Sequence, residues 1–278
     1  MTSHNHDYEA ANASHFDRLS EKFELLPSTN ELARYNSKAI LGMYPFDDEH
    51  TDVMDFACGI GMVSQRLASH CRSIIGVDVS QGMVTAFNKR VDNQGIPPEE
   101  MHAVCTRLRG TDDELEGRRF DVVVCAMSYH HFSSTVETTR VLACFLKPGG
   151  ALIVTDLLKD SNIDASARGW AKEHECAYGH NHGTSHDHTT GTLDHSHAIE
   201  PKDISVTDTS GSVRPNESPT VKTFDHFVPH IGGFIEEDVR AAFEGAGLRG
   251  FLLKSIAKGK AHGLPAQLFV AKGTKPQA

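Results

Sequence analysis

The sequence predicts an α/β protein: a doubly wound, mostly parallel seven-stranded sheet that closes with an antiparallel pair of strands. Three observations lead there. Strand-like and helix-like segments alternate from residue 51 to 158. Two of the strand-like segments end in an acidic residue, and the first of them runs straight into a glycine turn. Beyond a long polar stretch, one helix-like and two strand-like segments follow in that order.

Residues 1–50 read as helical. Phe16, Leu19, Phe23 and Leu26 recur at helix spacing, and Leu32, Tyr35, Ala39 and Ile40 do so after Pro27-Ser28-Thr29-Asn30. Pro45-Phe46-Asp47-Asp48 breaks the pattern. Over 51–158 the short apolar runs 53–57, 73–78, 101–105, 120–126 and 150–156 are of the kind buried on both faces of a parallel sheet. Helices are expected between them at 61–70, 80–94 and 134–146, and Lys147-Pro148-Gly149-Gly150 is a turn signal that opens the fifth strand. Residues 159–223 form a polar insertion, which the composition predicts to be mobile. His174 to His197 holds seven histidines among Gly, Thr, Ser and Asp, and a Ser/Thr/Pro-rich stretch runs on to Thr220. Residues 224–278 then supply a helix over Glu236–Ala246 with Gly247 as its C-cap, followed by strands at Leu248–Ala257 and Ala266–Ala271.

The composition narrows the function. A chain of 278 residues is enough for one large α/β domain or one domain plus a cap, and a net charge of −10 disfavours a phosphate-backbone partner, which requires clustered Lys and Arg. The cysteines Cys58, Cys71, Cys105, Cys125, Cys144 and Cys176 stand singly with no CxxC pair. That suits reduced thiols in a cytoplasmic protein. Met1 to Ala13 lacks an apolar signal core, and no apolar run approaches the roughly 20 residues of a membrane span.

Chemistry concentrates at Val53-Met54-Asp55-Phe56-Ala57-Cys58-Gly59-Ile60-Gly61-Met62-Val63-Ser64. A strand, a tight glycine turn and a helix start leave backbone N–H groups facing a ligand with no side chains in the way. Ile74-Ile75-Gly76-Val77-Asp78 follows, with Asp78 placed 19 residues after Gly59 to accept hydrogen bonds from both ribose hydroxyls. A nucleoside-type cofactor is expected. A nicotinamide-dependent oxidoreductase shares this turn, but Gly59-x-Gly61-x-x-Ser64 lacks the usual closing Gly or Ala.

These segments, together with Phe120-Asp121-Val122-Val123-Val124, Met127-Ser128-Tyr129-His130-His131-Phe132 and Leu146-Lys147-Pro148-Gly149-Gly150-Ala151-Leu152, resemble the class I S-adenosylmethionine-dependent methyltransferases, in particular the small-molecule group similar to the ubiquinone and menaquinone enzymes. The resemblance covers roughly 50–158 and 230–272, with a weaker echo over His15–Phe23. It implies S-adenosylmethionine as cofactor, a small organic acceptor, and residues 1–50 as a helical lid. It also implies cofactor contacts from Asp55, Ala57, Cys58, Gly59, Gly61, Asp78, Val79, Met83, Arg107, Leu108 and Ala126. Ala57 stands where the family's first glycine is common. After the third strand, Cys105-Thr106-Arg107-Leu108 lacks the acid that often reads the adenine amino group. Either the backbone at Arg107–Leu108 does so or Asp112/Asp113 reaches back.

Tyr129, His130 and His131 follow the fourth strand, where parallel sheets open to ligands. His130 and His131 are candidates for a catalytic base, and Tyr129, His226 and His230 for acceptor contact; loop-packing roles are the alternative for each. Cys58 has no base beside it in sequence and reads as a small residue packed in the turn. The cluster His180, His182, His186, His188, His195 and His197 suits a transition metal chemically, but Gly183, Thr184 and Ser185 disfavour the helix that would align His182 with His186, so no metal site is assigned. A metal-binding protein that keeps this fold without methylating is the competing reading.

Overall fold

The computed structural model describes residues 7–26, 29–159, 228–230, 232–261 and 264–277. The histidine cluster and His226 lie outside the described residues.

Strands β1 (Asp52–Phe56), β2 (Ser73–Asp78), β3 (Met101–Cys105), β4 (Phe120–Ala126), β5 (Leu146–Leu158), β6 (Arg249–Ala261) and β7 (Leu264–Thr274) form one sheet in the order β3-β2-β1-β4-β5-β7-β6. The first five are parallel; β7 runs antiparallel to both β5 and β6. The expected seven-stranded sheet with its antiparallel end is what the chain forms. Strand order reverses between β1 and β4, so the carboxyl ends of those two strands flank the crevice where such sheets receive ligands.

Alternation along each strand sends neighbouring side chains to opposite faces, and both faces are covered. Val53, Val122, Val124 and Ile153 pack with Ile40 of α2 (Thr29–Leu41) and with Val84, Phe87 and Val91 of α4 (Gln81–Gln94). Met54, Val123, Cys125, Leu152 and Val154 pack with Leu142 of α5 (Thr135–Cys144) and with Val239 and Phe243 of α6 (Glu236–Gly245). This double burial is why the strands read as unbroken apolar runs. A third, smaller cluster joins Leu19 of α1 (Tyr8–Leu19) and Ala33 of α2 to Ile60, Met62 and Met83, which seats the N-terminal helices directly above the glycine turn.

Several boundaries differ from expectation: β6 runs on to Ala261 and β7 spans Leu264–Thr274, and two differences lie nearer the crevice. The helix expected at 61–70 shrinks to α3 (Ser64–Leu67) plus a 3-10 turn, because Gly61 at φ +81° cannot belong to a right-handed helix. Lys147-Pro148-Gly149-Gly150 bends β5 without opening it. The strand begins at Leu146, its register with β4 shifts between Phe120 and Val122, and backbone bonds between Gly149, Gly150 and Lys275 hold the bend. Among the described residues, no helix is long and apolar enough to cross a membrane.

Candidate functional site

A cavity of about 450 Å³ opens at the carboxyl ends of β1, β2 and β4, beneath α1 and α2. That is within the range of small-molecule and cofactor sites. Its floor is the turn after β1. Ala57, Cys58 and Gly59 line it, and a Cβ built on Gly59 (φ +53°) would project into open space, so the backbone is bare toward a ligand. Two residues without the glycine licence take the left-handed conformation here: Ala57 at φ +56° after β1 and Met127 at φ +54° after β4. Both line the cavity, one on each side of the point where strand order reverses.

Asp78 also lines the cavity at the tip of β2. Its Oδ2 accepts from the Gly59 N–H at 2.8 Å and its Oδ1 from the Ser80 N–H at 2.9 Å. The two acid-tipped strands are therefore coupled through the glycine turn. Burial pushes the Asp78 carboxyl above the usual carboxylate range, and those N–H bonds pull it back. Each carboxylate oxygen retains a lone pair for a further donor.

Asp55 and Gly61, for which the resemblance implies cofactor contacts, do not line the cavity. Asp55 lies under the turn at 1% exposure, where it accepts from the Ser64 hydroxyl at 2.5 Å; burial raises its carboxyl to about 7. Gly61 is glycine for packing: a Cβ there would stand 2.6 Å from the Phe87 ring. Cys58 faces the cavity but is buried, and burial lifts its thiol well above its usual range, which keeps it protonated.

Val79, Met83, Arg107, Leu108 and Ala126 all line the cavity, together with Thr106. Asp112 and Asp113 do not; Asp112 pairs with Arg119 at 2.6 Å, outside it. Arg107 is held from above by Glu9 of α1, Nε to Oε2 at 2.8 Å. Other bonds fix α1. Oδ1 of Asp17 accepts from Ser80 Oγ at 2.6 Å and from the Gly82 N–H at 2.8 Å. Asn12 Nδ2 donates to the carbonyls of Tyr8 and His131 at 2.7 and 3.2 Å.

The histidines separate. His130 and His131 line the cavity in a short turn after β4. His130 is anchored by Asp156 of β5, with Nδ1 at 2.8 Å from Oδ1 and its backbone N–H donating to Oδ2 at 3.2 Å. His131 stands edge-on to Phe16 of α1, ring centroids 5.2 Å apart. Tyr129 does not line the cavity; it is 1% exposed, and its hydroxyl meets Thr139 Oγ1 at 3.0 Å in the core, with burial raising the phenol. His230 also stays out of the cavity. Its N–H donates to the His130 carbonyl at 3.2 Å, its ring packs on Phe234, and burial lowers its pKa.

Sequence reasoning missed several polar residues in or beside the cavity, among them Asp156 under His130, Asn12 and Asn36. Asp156 carries a legible signal, since it is a third acid at the carboxyl end of a buried strand. Asn12 and Asn36 are amides on the inward faces of α1 and α2, where helical periodicity calls for apolar residues. Both line the cavity, and the Oδ1 of each is buried with no hydrogen-bond partner among the described residues.

Residues 53–150 match the methyltransferase domain family. Over these residues the chain is similar to methyltransferases. A protein of Schizosaccharomyces pombe named as an uncharacterized methyltransferase is 34% identical over 188 residues, 55% of this chain and 66% of that one. A demethylmenaquinone methyltransferase of Bacteroides fragilis is 28% identical over 150 residues, 51% and 58% of the two chains. The chain thus spans less than two thirds of either relative. Among solved structures, a Thermotoga maritima S-adenosylmethionine-dependent methyltransferase aligns with a TM-score of 0.57 at 13% identity over 95% of this chain and 99% of that one. The N-methyltransferase NodS from Bradyrhizobium japonicum, bound to S-adenosyl-L-homocysteine, aligns at 0.56 and 12% over 98% and 100%. At these identities the likeness is one of fold. The site itself fits the cofactor: a bare glycine backbone, a half-buried carboxylate with lone pairs to spare, and a largely apolar enclosure.

Proposed function

We propose that this protein transfers the methyl group of S-adenosylmethionine to a small organic acceptor. The observation that carries the reading is a single cavity lined at once by Asp78, by the backbone at Ala57–Gly59 and by His130 and His131. In this reading Asp78 accepts from the ribose hydroxyls. Val79, Met83 and Leu108 enclose the adenine, which the backbone at Arg107–Leu108 reads in place of the missing acid. Ala57, Cys58 and Gly59 face the amino-acid end, and Ala126 lies beside it. Phe56, His131 and Phe132 border the space left for an acceptor.

S-adenosylmethionine supplies an electrophilic methyl group that carries its own leaving group. The chain's task is then to align, enclose and dry the reactants. The N-terminal helices act as the lid that does so. Relatives named for ubiquinone biosynthesis and demethylmenaquinone support a small cyclic acceptor, and the net charge of −10 favours such a molecule over a nucleic acid.

Calorimetric titration tests the cofactor, and a panel of phenols, amines and thiols with methyl-labelled S-adenosylmethionine tests the transfer. S-adenosylmethionine should bind the wild type, and Asp78→Ala should weaken it by roughly 1–3 kcal/mol. Binding of NADH with no affinity for S-adenosylmethionine would overturn the reading.

A further inference from the structure

Resting on the function proposed above, we infer that Asn12 of α1 is a specificity-determining residue: its amide oxygen accepts a hydrogen bond from an O–H or N–H group on an acceptor that carries no negative charge. Tyr8, Asn12 and Phe16 lie four residues apart on α1, and all three line the cavity. The amide in the middle of that stripe is 7% exposed, where an apolar residue would be buried at lower cost. Its Nδ2 donates to the carbonyls of Tyr8 at 2.7 Å and His131 at 3.2 Å. Carbonyls only accept, so the amide cannot be turned end for end, and Oδ1 is the atom left over. That oxygen is buried with no partner among the described residues.

The position of Asn12 decides which ligand completes it. Its bond to the His131 carbonyl, and the packing of Phe16 one turn on against the His131 ring, seat it beside the space bordered by Phe56, His131 and Phe132. The donors of S-adenosylmethionine are matched elsewhere in the proposed reading: the ribose hydroxyls by Asp78, the adenine amino group by the backbone at Arg107–Leu108, and the amino-acid end by Ala57–Gly59. The acceptor is left to supply the missing donor, since an unmatched buried oxygen costs free energy until one reaches it. Asn36 of α2 repeats the pattern: it is 1% exposed, lines the cavity, and its Oδ1 is also buried without a partner among the described residues.

Charge narrows the acceptor further. Among the described residues that line the cavity, Glu9, Asp78 and Glu137 are acidic, and Arg107 is the only Lys or Arg. Arg107 Nε is already bonded to Glu9 Oε2 at 2.8 Å. Apart from its imidazoles, the cavity therefore offers an acceptor carboxylate or phosphate no cation without an acidic partner, and the Asn12 oxygen would repel such a group. A neutral molecule with one donor for Asn12 beside the group to be methylated meets both conditions.

The acceptor panel tests this when its members are set in threes: catechol, phenol and salicylate; o-phenylenediamine, aniline and anthranilate. In each set the second donor is kept, replaced by hydrogen, or replaced by a carboxylate. Wild-type kcat/KM should be highest for the two-donor member, at least about tenfold above the one-donor member, with the carboxylate lowest. In Asn12→Leu the two-donor member should fall to the level of its one-donor partner, mainly through KM, with S-adenosylmethionine affinity within about threefold of wild type. A merely structural role would lower both members alike and leave their ratio unchanged. That result, a larger loss of S-adenosylmethionine affinity in the variant, or a wild-type preference for the one-donor or carboxylate members would overturn the inference. The wild-type comparison decides the matter even where Asn12→Leu fails to fold. A wild type that binds S-adenosylmethionine and methylates nothing in the panel fails the proposed function, and the inference with it.

Discussion

Nε of Arg107, in the loop after β3, lies 2.8 Å from Oε2 of Glu9 in α1, and both residues line the cavity. The pair therefore fastens α1 to the loop after β3 at the cavity's edge. Exposed ion pairs contribute at most about 1 kcal/mol, so its effect should be on rates more than on stability. Glu9→Gln is expected to speed both entry and release of S-adenosylmethionine several-fold in stopped-flow measurements, with Tm nearly unchanged. Burial raises the Glu9 carboxyl, partly offset by Arg107, so wild-type kinetics should approach those of the variant as pH falls into the acid range.

Asp78 should make cofactor affinity pH-dependent. Burial already raises its carboxyl above 3.8, and donors from a bound ribose favour the ionised form. Affinity is therefore full above that raised value and lost as pH falls through it. Asp78→Asn, which has no proton to gain, should give a flatter profile at lower affinity; equal slopes in calorimetry would remove Asp78 from the ribose.

Asp55 offers the opposite sign. Its carboxyl rises to about 7 on folding through burial, against 3.8 for a free aspartate side chain. Between those values the folded chain holds a proton that the unfolded chain has released, so stability falls as pH climbs from about 4 to about 7 and then levels off. The full penalty is roughly 4 kcal/mol. Asp55→Asn should flatten this slope in denaturant titrations and raise stability above pH 7. Cofactor affinity should change less than about threefold, because Asp55 does not line the cavity. A large affinity loss would instead restore the contact implied by the motif.

Ala57 holds φ +56° without the glycine that this conformation favours. A left-handed L-residue costs roughly 1–2 kcal/mol, while glycine adds roughly 0.5–1 kcal/mol of unfolded-state entropy. Ala57→Gly should thus be neutral to slightly stabilising. The same exchange at Ala86, inside α4, should cost about 1 kcal/mol, and chemical denaturation of the two variants side by side reads the contrast.

Much of this was legible in the chain. Strands buried on both faces announced themselves as apolar runs, and Gly59 and Asp78 stand where their motifs put them, because a bare turn and a strand-tip carboxylate are local features. Tertiary packing decided the rest. Gly61 answers to Phe87 on another helix, Asp55 to Ser64 beneath the turn, and Tyr129 to Thr139 in the core. None of those partners can be read from the motif itself. Asp156 had the same strand-end signature as Asp55 and Asp78, but its meaning needed His130 beside it, 26 positions away in sequence.

The sheet order also bears on how the molecule is made. Strand β7 occupies the slot between β5 and β6, both of which are synthesised before it. Until residues 264–274 emerge, β5 presents a long naked hydrogen-bonding edge and β6 has nowhere to dock. The nascent chain is then open to adhesion by any extended polypeptide nearby, and ribosome stalling before this last strand would leave a sticky intermediate in place of a foldable domain.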